Sequence, residues 1–274
     1  MTSLAEVPGG AAALVGTTEI VLITLDTLRH DVAVDAMAAG ETPAFAGLLP
    51  GGWEERHTPA SFTYAAHRAF FAGFLPSPLN SGPHQRPFAL AFPGSETTGP
   101  DTCVLDAPDV VGGLRDRGYR TICIGGVGFF NPASPLGRDL PGLFEEAHWE
   151  PAFGVASPDG FEAQLDRLEE ALAVDDHRPC FTFVNVSSIH QPNCHHLPGA
   201  TADSLATHRA ALLYVDRHLP RLLRLVTRRR PALVVVCSDH GTAYGEGGYT
   251  GHRVGHPVVW TVPYGEAVLP CRSL

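Results

Sequence analysis

Four short apolar runs constrain this chain more than any other feature: EIVLITL at 19–25, TICIG at 121–125, FTFVNV at 181–186 and LVVVCS at 233–238. Each is rich in branched residues and too short for a buried helix. That is how strands covered on both faces read. Helical stretches separate them, at 108–118, at 160–173 with Phe161, Leu165, Leu168 and Leu172 on one face, and at 202–228. Strand and helix in alternation imply right-handed crossovers, and so a doubly wound, mostly parallel α/β sheet with helices on both faces. No internal repeat or linker divides the chain. One domain is expected over 19–274, after a flexible stretch at 1–18. The Gly/Pro/Ser-rich span 76–100 has no period and reads as an excursion over one sheet edge.

Composition narrows the chemistry. All 19 basic residues among the 274 are Arg, so mechanisms needing a Schiff-base or P-loop lysine are excluded. A net charge of -10 argues against a sequence-independent grip on nucleic acid. An anionic substrate would need something other than net charge to attract it, and a bound metal would serve. No run reaches the roughly 18 apolar residues that span a bilayer. Residues 1–18 lack a basic start, and the six cysteines form no CxxC pair, with Cys123, Cys180 and Cys237 in or beside strand-like runs. From these the expectation is a cytoplasmic protein with reduced thiols.

In sheets of this kind ligands bind at the carboxyl ends of the strands. Three polar clusters fall there: Asp26, Asn185 to His190, and Ser238-Asp239-His240-Gly241. Adjacent Asp239 and His240 can be aimed at one ion by a turn at Gly241, and Asp26 would add a second carboxylate. Hard oxygen ligands with one imidazole suit Zn²⁺ or Mn²⁺ better than Mg²⁺ or Ca²⁺. The simpler role for Asp26 is to cap the helix that follows it.

Four segments, VLITLDTLRHD at 21–31, GYRTICIGG at 118–126, LLYVDRHL at 212–219 and VVVCSDHG at 234–241, occur in an order that resembles the alkaline phosphatase superfamily, in its sulfatase-like branch. The resemblance implies a metal site at the carboxyl edge and a nucleophile at a helix start. Counting ten residues back from Gly73 in TYAAHRAFFAG places that nucleophile at Thr63, as in nucleotide-pyrophosphatase-like and phosphoethanolamine-transferase-like members. A hydroxyl there could ligate the metal beside Asp26, Asp239 and His240 and lose its proton more easily. Ser61 is the local competitor, and a plain N-cap is the simpler role for Thr63. The resemblance further assigns His190, in NVSSIHQPN, and His252, 13 residues after Asp239, to the phosphate-bearing substrate or a second metal. His256 competes with His252. Dinuclear members carry an Asp where this chain has Val186, so a second ion would be weakly held.

A sulfatase proper is disfavoured. Its C/S-x-P-x-R signature is Thr63-Tyr-Ala-Ala-His67 here, its paired Asp-Asp is Asp26-Thr27, and its active-site lysines are missing. The expectation is therefore a metal-dependent hydrolase or transferase of small phosphate mono- or diesters, through a phosphothreonine at Thr63. A sulfuric-ester hydrolase and a catalytically silent metal-binding domain are the alternatives. Arg68 and Arg253 could grip phosphate. Cys194-His195-His196 lacks a partner pair for a soft metal site, and Gly125-Gly126-Val127-Gly128 is an incomplete dinucleotide loop. Residues 131–153, with Phe144 and Trp149, and Phe153 at their end, are candidates for a substrate pocket.

Overall fold

The computed structural model describes residues 2, 4–73, 88–89, 103–104, 109–174 and 176–272. In chain order its strands are β1 (Glu19–Leu25), β2 (Glu54–His57), β3 (Phe88–Ala89), β4 (Cys103–Val104), β5 (Arg120–Ile124) and β6 (Glu146–His148). β7 (Cys180–Val186), β8 (Ala232–Cys237), β9 (Ala243–Tyr244), β10 (Thr250–Gly251) and β11 (Thr261–Leu269) follow. The helices are α1 (His30–Ala38), α2 (Pro43–Leu48), α3 (Thr63–Ala72), α4 (Val110–Asp116), α5 (Pro135–Asp139), α6 (Gly160–Leu172), α7 (Leu205–Val226) and α8 (Pro257–Trp260). The main sheet has the order β2-β11-β8-β1-β7-β5-β6. Every pairing from β8 to β6 is parallel, whereas β11 runs antiparallel to both β8 and β2.

Alternation along the strands builds two cores. Val21, Ile23 and Leu25 of β1, with Val184 and Val186 of β7, join one apolar layer with α1, α6 and α7. Ile20 and Leu22, with Phe181 and Phe183, face the other, which takes in Phe71 of α3 and Val111 and Leu114 of α4. Helices on both faces are the doubly wound arrangement expected. The register aligns Thr24 with Asn185 of β7 and with Cys237 of β8, so the carboxyl ends of three central strands coincide. Asp26, Ser187 and Ser238 therefore start their loops side by side.

The four strand-like runs and the three helical stretches all form, β1 with the expected ends and the others with ends shifted by at most three residues. Local caps explain the trimmed starts: Asp109 accepts from the Gly112 N–H at 2.7 Å, and Ser204 and Thr207 make a reciprocal capping box. Asp216, within LLYVDRHL, is structural. It accepts from the N–H groups of Ala44 and Phe45 at 3.2 and 2.8 Å and caps α2 from another helix. Three strands of the main sheet were not anticipated. β2 is polar and exposed throughout, β6 has three residues, and β11 is interrupted by Pro263 and Gly265. The stretch before β1 makes contacts with the domain where it is described. Leu4–Glu6 and Gly10–Leu14 are 3₁₀ turns, Thr2 pairs with Val268, and the Tyr119 hydroxyl bridges Gly16 N–H and Thr18 C=O at 2.8 Å each. Most of the 76–100 excursion lies outside the described residues.

Phe183 sits at the middle of the second core, its ring 5.1 Å from Phe71, 5.5 Å from Phe130 and 5.9 Å from Phe144. It is fully buried. Phe183→Ala should therefore lower the free energy of unfolding by about 3–5 kcal/mol, read from urea denaturation. Val34→Ala on the exposed face of α1 should change it by less than about 0.5 kcal/mol.

Candidate metal centre and active site

The last turn of β1 and the first of the loop after β8 interlock. Asp26 follows β1 directly, and its N–H donates to Val186 C=O at 3.0 Å. Thr27 then adopts φ +67°, a left-handed conformation rare outside glycine, and this turns its N–H onto Asp239 Oδ1 at 3.2 Å. The His240 N–H donates to the same oxygen at 3.0 Å. Across the loop, the Thr58 hydroxyl donates to Asp239 C=O. Gly241 is needed because α8 passes so close that a Cβ would lie 2.0 Å from Val258 C=O.

These constraints leave three ligand atoms converging. One atom each of Asp26, Asp239 and His240 lies within 4.8 Å of the others, and all three residues are fully buried. His240 Nδ1 is 3.0 Å from Gly241 C=O. A carbonyl can only accept, so Nδ1 carries the hydrogen and Nε2 offers its lone pair to the site. That nitrogen stands 3.4 Å from Asp239 Oδ2 and 3.9 Å from Asp26 Oδ1. Asp26 Oδ1 and Asp239 Oδ2 are buried without any hydrogen-bond partner. Burial, reinforced by the Asp239 charge, pushes Asp26 up to about 6, and burial pushes Asp239 up to about 7. Two buried carboxylate oxygens without donors and one imidazole lone pair form a donor set that fits a divalent cation.

Thr63 is the first residue of α3 and is buried. Its Oγ1 lies 3.4 Å from Asp26 Oδ2 and 3.3 Å from His240 Nε2. The cap position belongs to Phe62, and the helix after Asp26 starts only at His30, so neither Thr63 nor Asp26 serves as the simple N-cap. Ser61 lies outside the helix and uses its C=O to accept from Arg253 N–H at 2.9 Å.

The two proposed substrate histidines stand in front of this cluster. The His252 ring is 4.5 Å from His240 and 5.2 Å from His190. Burial, with His240, His190 and Arg253 nearby, holds His252 down at about 3. His256 is elsewhere, accepting from Val258 N–H at 3.3 Å to cap α8. A cleft of about 560 Å³ opens above Thr63, with His190, Gln191, His252 and Arg253 on its polar side and Val127, Phe129, Leu136 and Val155 on its apolar side. Arg68 instead pairs with Asp139 at 3.3 Å. Phe144 and Phe153 are core residues rather than pocket walls. Gly126 serves packing, since a Cβ would meet Asn185 C=O at 2.3 Å. His196 stacks on Tyr214 at 4.7 Å, and Cys194, His195 and His196 form no metal cluster among the described residues.

Thr24 went unnamed in the sequence, and Asn185 and His67, though singled out there, had no role assigned. Asn185 donates from Nδ2 to Asp26 Oδ2 at 3.1 Å and to Thr24 Oγ1 at 3.2 Å, and Thr24 lies 2.9 Å from Nε2 of the buried His67. The available signal was a Thr and an Asn inside otherwise apolar strand runs.

Asp239 gives a linkage test. Its folded value lies above the ordinary 3.8, so the metal-free folded chain holds this proton more tightly than the unfolded chain does. The stabilisation is complete below about 4 and is lost as pH rises through about 7. Metal-free Asp239→Asn should therefore gain on metal-free wild type across that window in thermal unfolding. Zn²⁺ added at neutral pH should raise the Tm of wild type and not of the variant. Buried histidines such as His67, held down at about 3 by burial, tilt the absolute profile the other way, so the difference is the readout.

Comparison with known proteins bears on this geometry. The soluble domain of lipooligosaccharide phosphoethanolamine transferase A from Neisseria meningitidis is 12% identical, with TM-score 0.62 over 93% of this chain and 78% of that one. The C-terminal periplasmic domain of EcEptC from Escherichia coli, in complex with Zn, is 13% identical, with TM-score 0.62 over 93% and 73%. Lipoteichoic acid synthase LtaP from Listeria monocytogenes is 16% identical, with TM-score 0.60 over 93% and 66%. No curated protein matches the sequence. The cytoplasmic expectation is corrected by these neighbours, which include a periplasmic domain of the same fold. Buried thiols signal core packing and do not identify a reducing compartment. Among the described residues no helix is long and apolar enough to cross a membrane. The Sulfatase family model matches residues 18–261, and this chain belongs to that family.

Proposed function

We propose that this chain moves a phosphoryl group from a small anionic phosphate ester onto Thr63, and from there to water or an alcohol. The observation that carries the reading is the Thr63 hydroxyl at the first position of α3, within 3.4 Å of both Asp26 and His240. A divalent cation held by Asp26, Thr63, Asp239 and His240, with Zn²⁺ favoured and Mn²⁺ next, would supply Lewis acidity and neutralise the two carboxylates. Asp26 Oδ2 is the acceptor placed for the hydroxyl proton. Thr63 Oγ1 then bonds to phosphorus as the ester oxygen leaves with the substrate's alcohol. The start of α3 at Thr63 puts the positive end of a helix dipole beside the non-bridging oxygens and favours their negative charge. His252, in the cleft, donates to those oxygens or to the leaving alcohol. His190, whose Nδ1–H is taken by Gln191 C=O, does so from Nε2 only in its protonated form, or else joins His252 in holding a weakly bound second ion. Water or an alcohol finally attacks phosphothreonine and restores the hydroxyl.

Phosphorus is favoured over sulfur because Thr63 needs no conversion to act, and His67 stands where a sulfatase signature has Arg. A screen of phosphate mono- and diesters and sulfate esters, with added Zn²⁺ or Mn²⁺, tests the reading. Phosphate-ester turnover is expected, with a phosphothreonine at residue 63 in acid-quenched protein. Thr63→Ala should fall to background and Thr63→Ser should keep a fraction of the rate. A dead Ser61→Ala beside an active Thr63→Ala would overturn the assignment. His190→Ala and His252→Ala should each lower kcat/KM by about 10²–10³, in the range for losing one preorganised donor, without emptying the metal site.

A further inference from the structure

His67 lies one helical turn after Thr63 and is completely buried, yet it is not one of the converging metal-ligand residues. Both of its nitrogens are engaged. Nδ1 is 2.7 Å from Thr63 C=O, and Nε2 is 2.9 Å from Thr24 Oγ1. Because a carbonyl only accepts, Nδ1 must donate, and a neutral ring then accepts at Nε2 from the Thr24 hydroxyl. The Thr24 oxygen accepts in turn from Asn185 Nδ2. Asn185 cannot be flipped, because its Oδ1 accepts from Val127 N–H at 3.0 Å. Its Nδ2 also holds Asp26 Oδ2, the oxygen nearest the Thr63 hydroxyl. Every donor in this chain has one direction available. It runs from the loop after β5, through β7 and β1, to the first carbonyl of α3. Around it, Phe70, Phe71, Phe130 and Phe183 pack within 6.2 Å of the imidazole and close it off from water.

We propose that His67, directed by Thr24 and Asn185, is a positioning residue that sets the depth and rotation of Thr63 against Asp26 and His240. It locks the nucleophile's own peptide to β1, which presents Asp26, and to its neighbour β7. The proposal rests on Thr63 being the attacking group.

The test uses the whole chain loaded with Zn²⁺, p-nitrophenyl phosphate and bis(p-nitrophenyl) phosphate as probes, and Zn²⁺ affinity by chelator competition. His67→Phe and Thr24→Val should fold and lower kcat by about 10- to 100-fold, the scale of a small displacement of a reacting group, with KM nearly unchanged. Thr24→Ser, which keeps the hydroxyl, and His67→Gln, which keeps a polar group toward Thr24, should recover most of the loss. Zn²⁺ affinity should fall in His67→Phe to the level of Thr63→Ala and should not fall further in the double variant, since one acts through the other. A folded His67→Phe with wild-type kcat would overturn the proposal. So would Zn²⁺ affinity that His67→Phe lowers equally with and without the Thr63 hydroxyl. Wild type turning over neither ester would refute the proposed activity, and the Zn²⁺ cycle would then decide the role of His67 alone.

Discussion

Two carboxylates, Asp26 and Asp239, are buried side by side at the ends of adjacent parallel strands, each with an oxygen that no protein donor reaches. Left as bare anions they would repel each other in a medium that solvates them poorly. The surrounding fold is arranged around this unfavourable pair. The register of β1 against β8 sets their spacing. The left-handed turn at Thr27 and the N–H of His240 each hold Asp239 by its other oxygen. What remains free is a small set of converging lone pairs, an arrangement that a proton or a cation among them relieves.

The two faces of the sheet divide the work. On the α1, α6 and α7 side the core is aliphatic for the most part, and Asp216 there spends its charge on a helix start. On the α3 side the core is aromatic, with rings in edge and tilted contacts about His67. Rigid rings have few rotamers, so this layer is suited to holding α3, and with it Thr63, at a fixed height above the strands. The cleft lining mixes the polar side chains of His190, His252 and Arg253 with the apolar ones of Phe129, Leu136 and Val155.

Much of this was legible in the sequence, for physical reasons. Strands buried on both faces are largely apolar, so EIVLITL and LVVVCS announce themselves, and the polar residues immediately past them lie at the same edge. Asp26, Asp239 and His240 were found that way. β2 and β11 were not, because an edge strand such as EERH needs no apolar pattern and an antiparallel neighbour tolerates Pro263 and Gly265. Thr24, and the link it makes between Asn185 and His67, stayed hidden for a different reason. Thr24 is 43 residues from His67 and 161 from Asn185, and no local period records such a meeting. Compartment was misread because thiol burial follows from packing, and the same buried Cys123 or Cys237 would be inert on either side of a membrane.

The pairing of Thr2 with Val268 brings the beginning of the chain beside its last strand. β11 is antiparallel to β8, with Leu269 opposite Ala232, so this meeting takes place at the end of the sheet away from Asp239. Arg272 continues there, its N–H donating to Thr227 C=O at 2.9 Å. Polypeptide attached at either terminus would thus leave from the sheet's amino edge. A tether or a fusion partner joined there would hold the domain from the edge opposite Asp239 and His240.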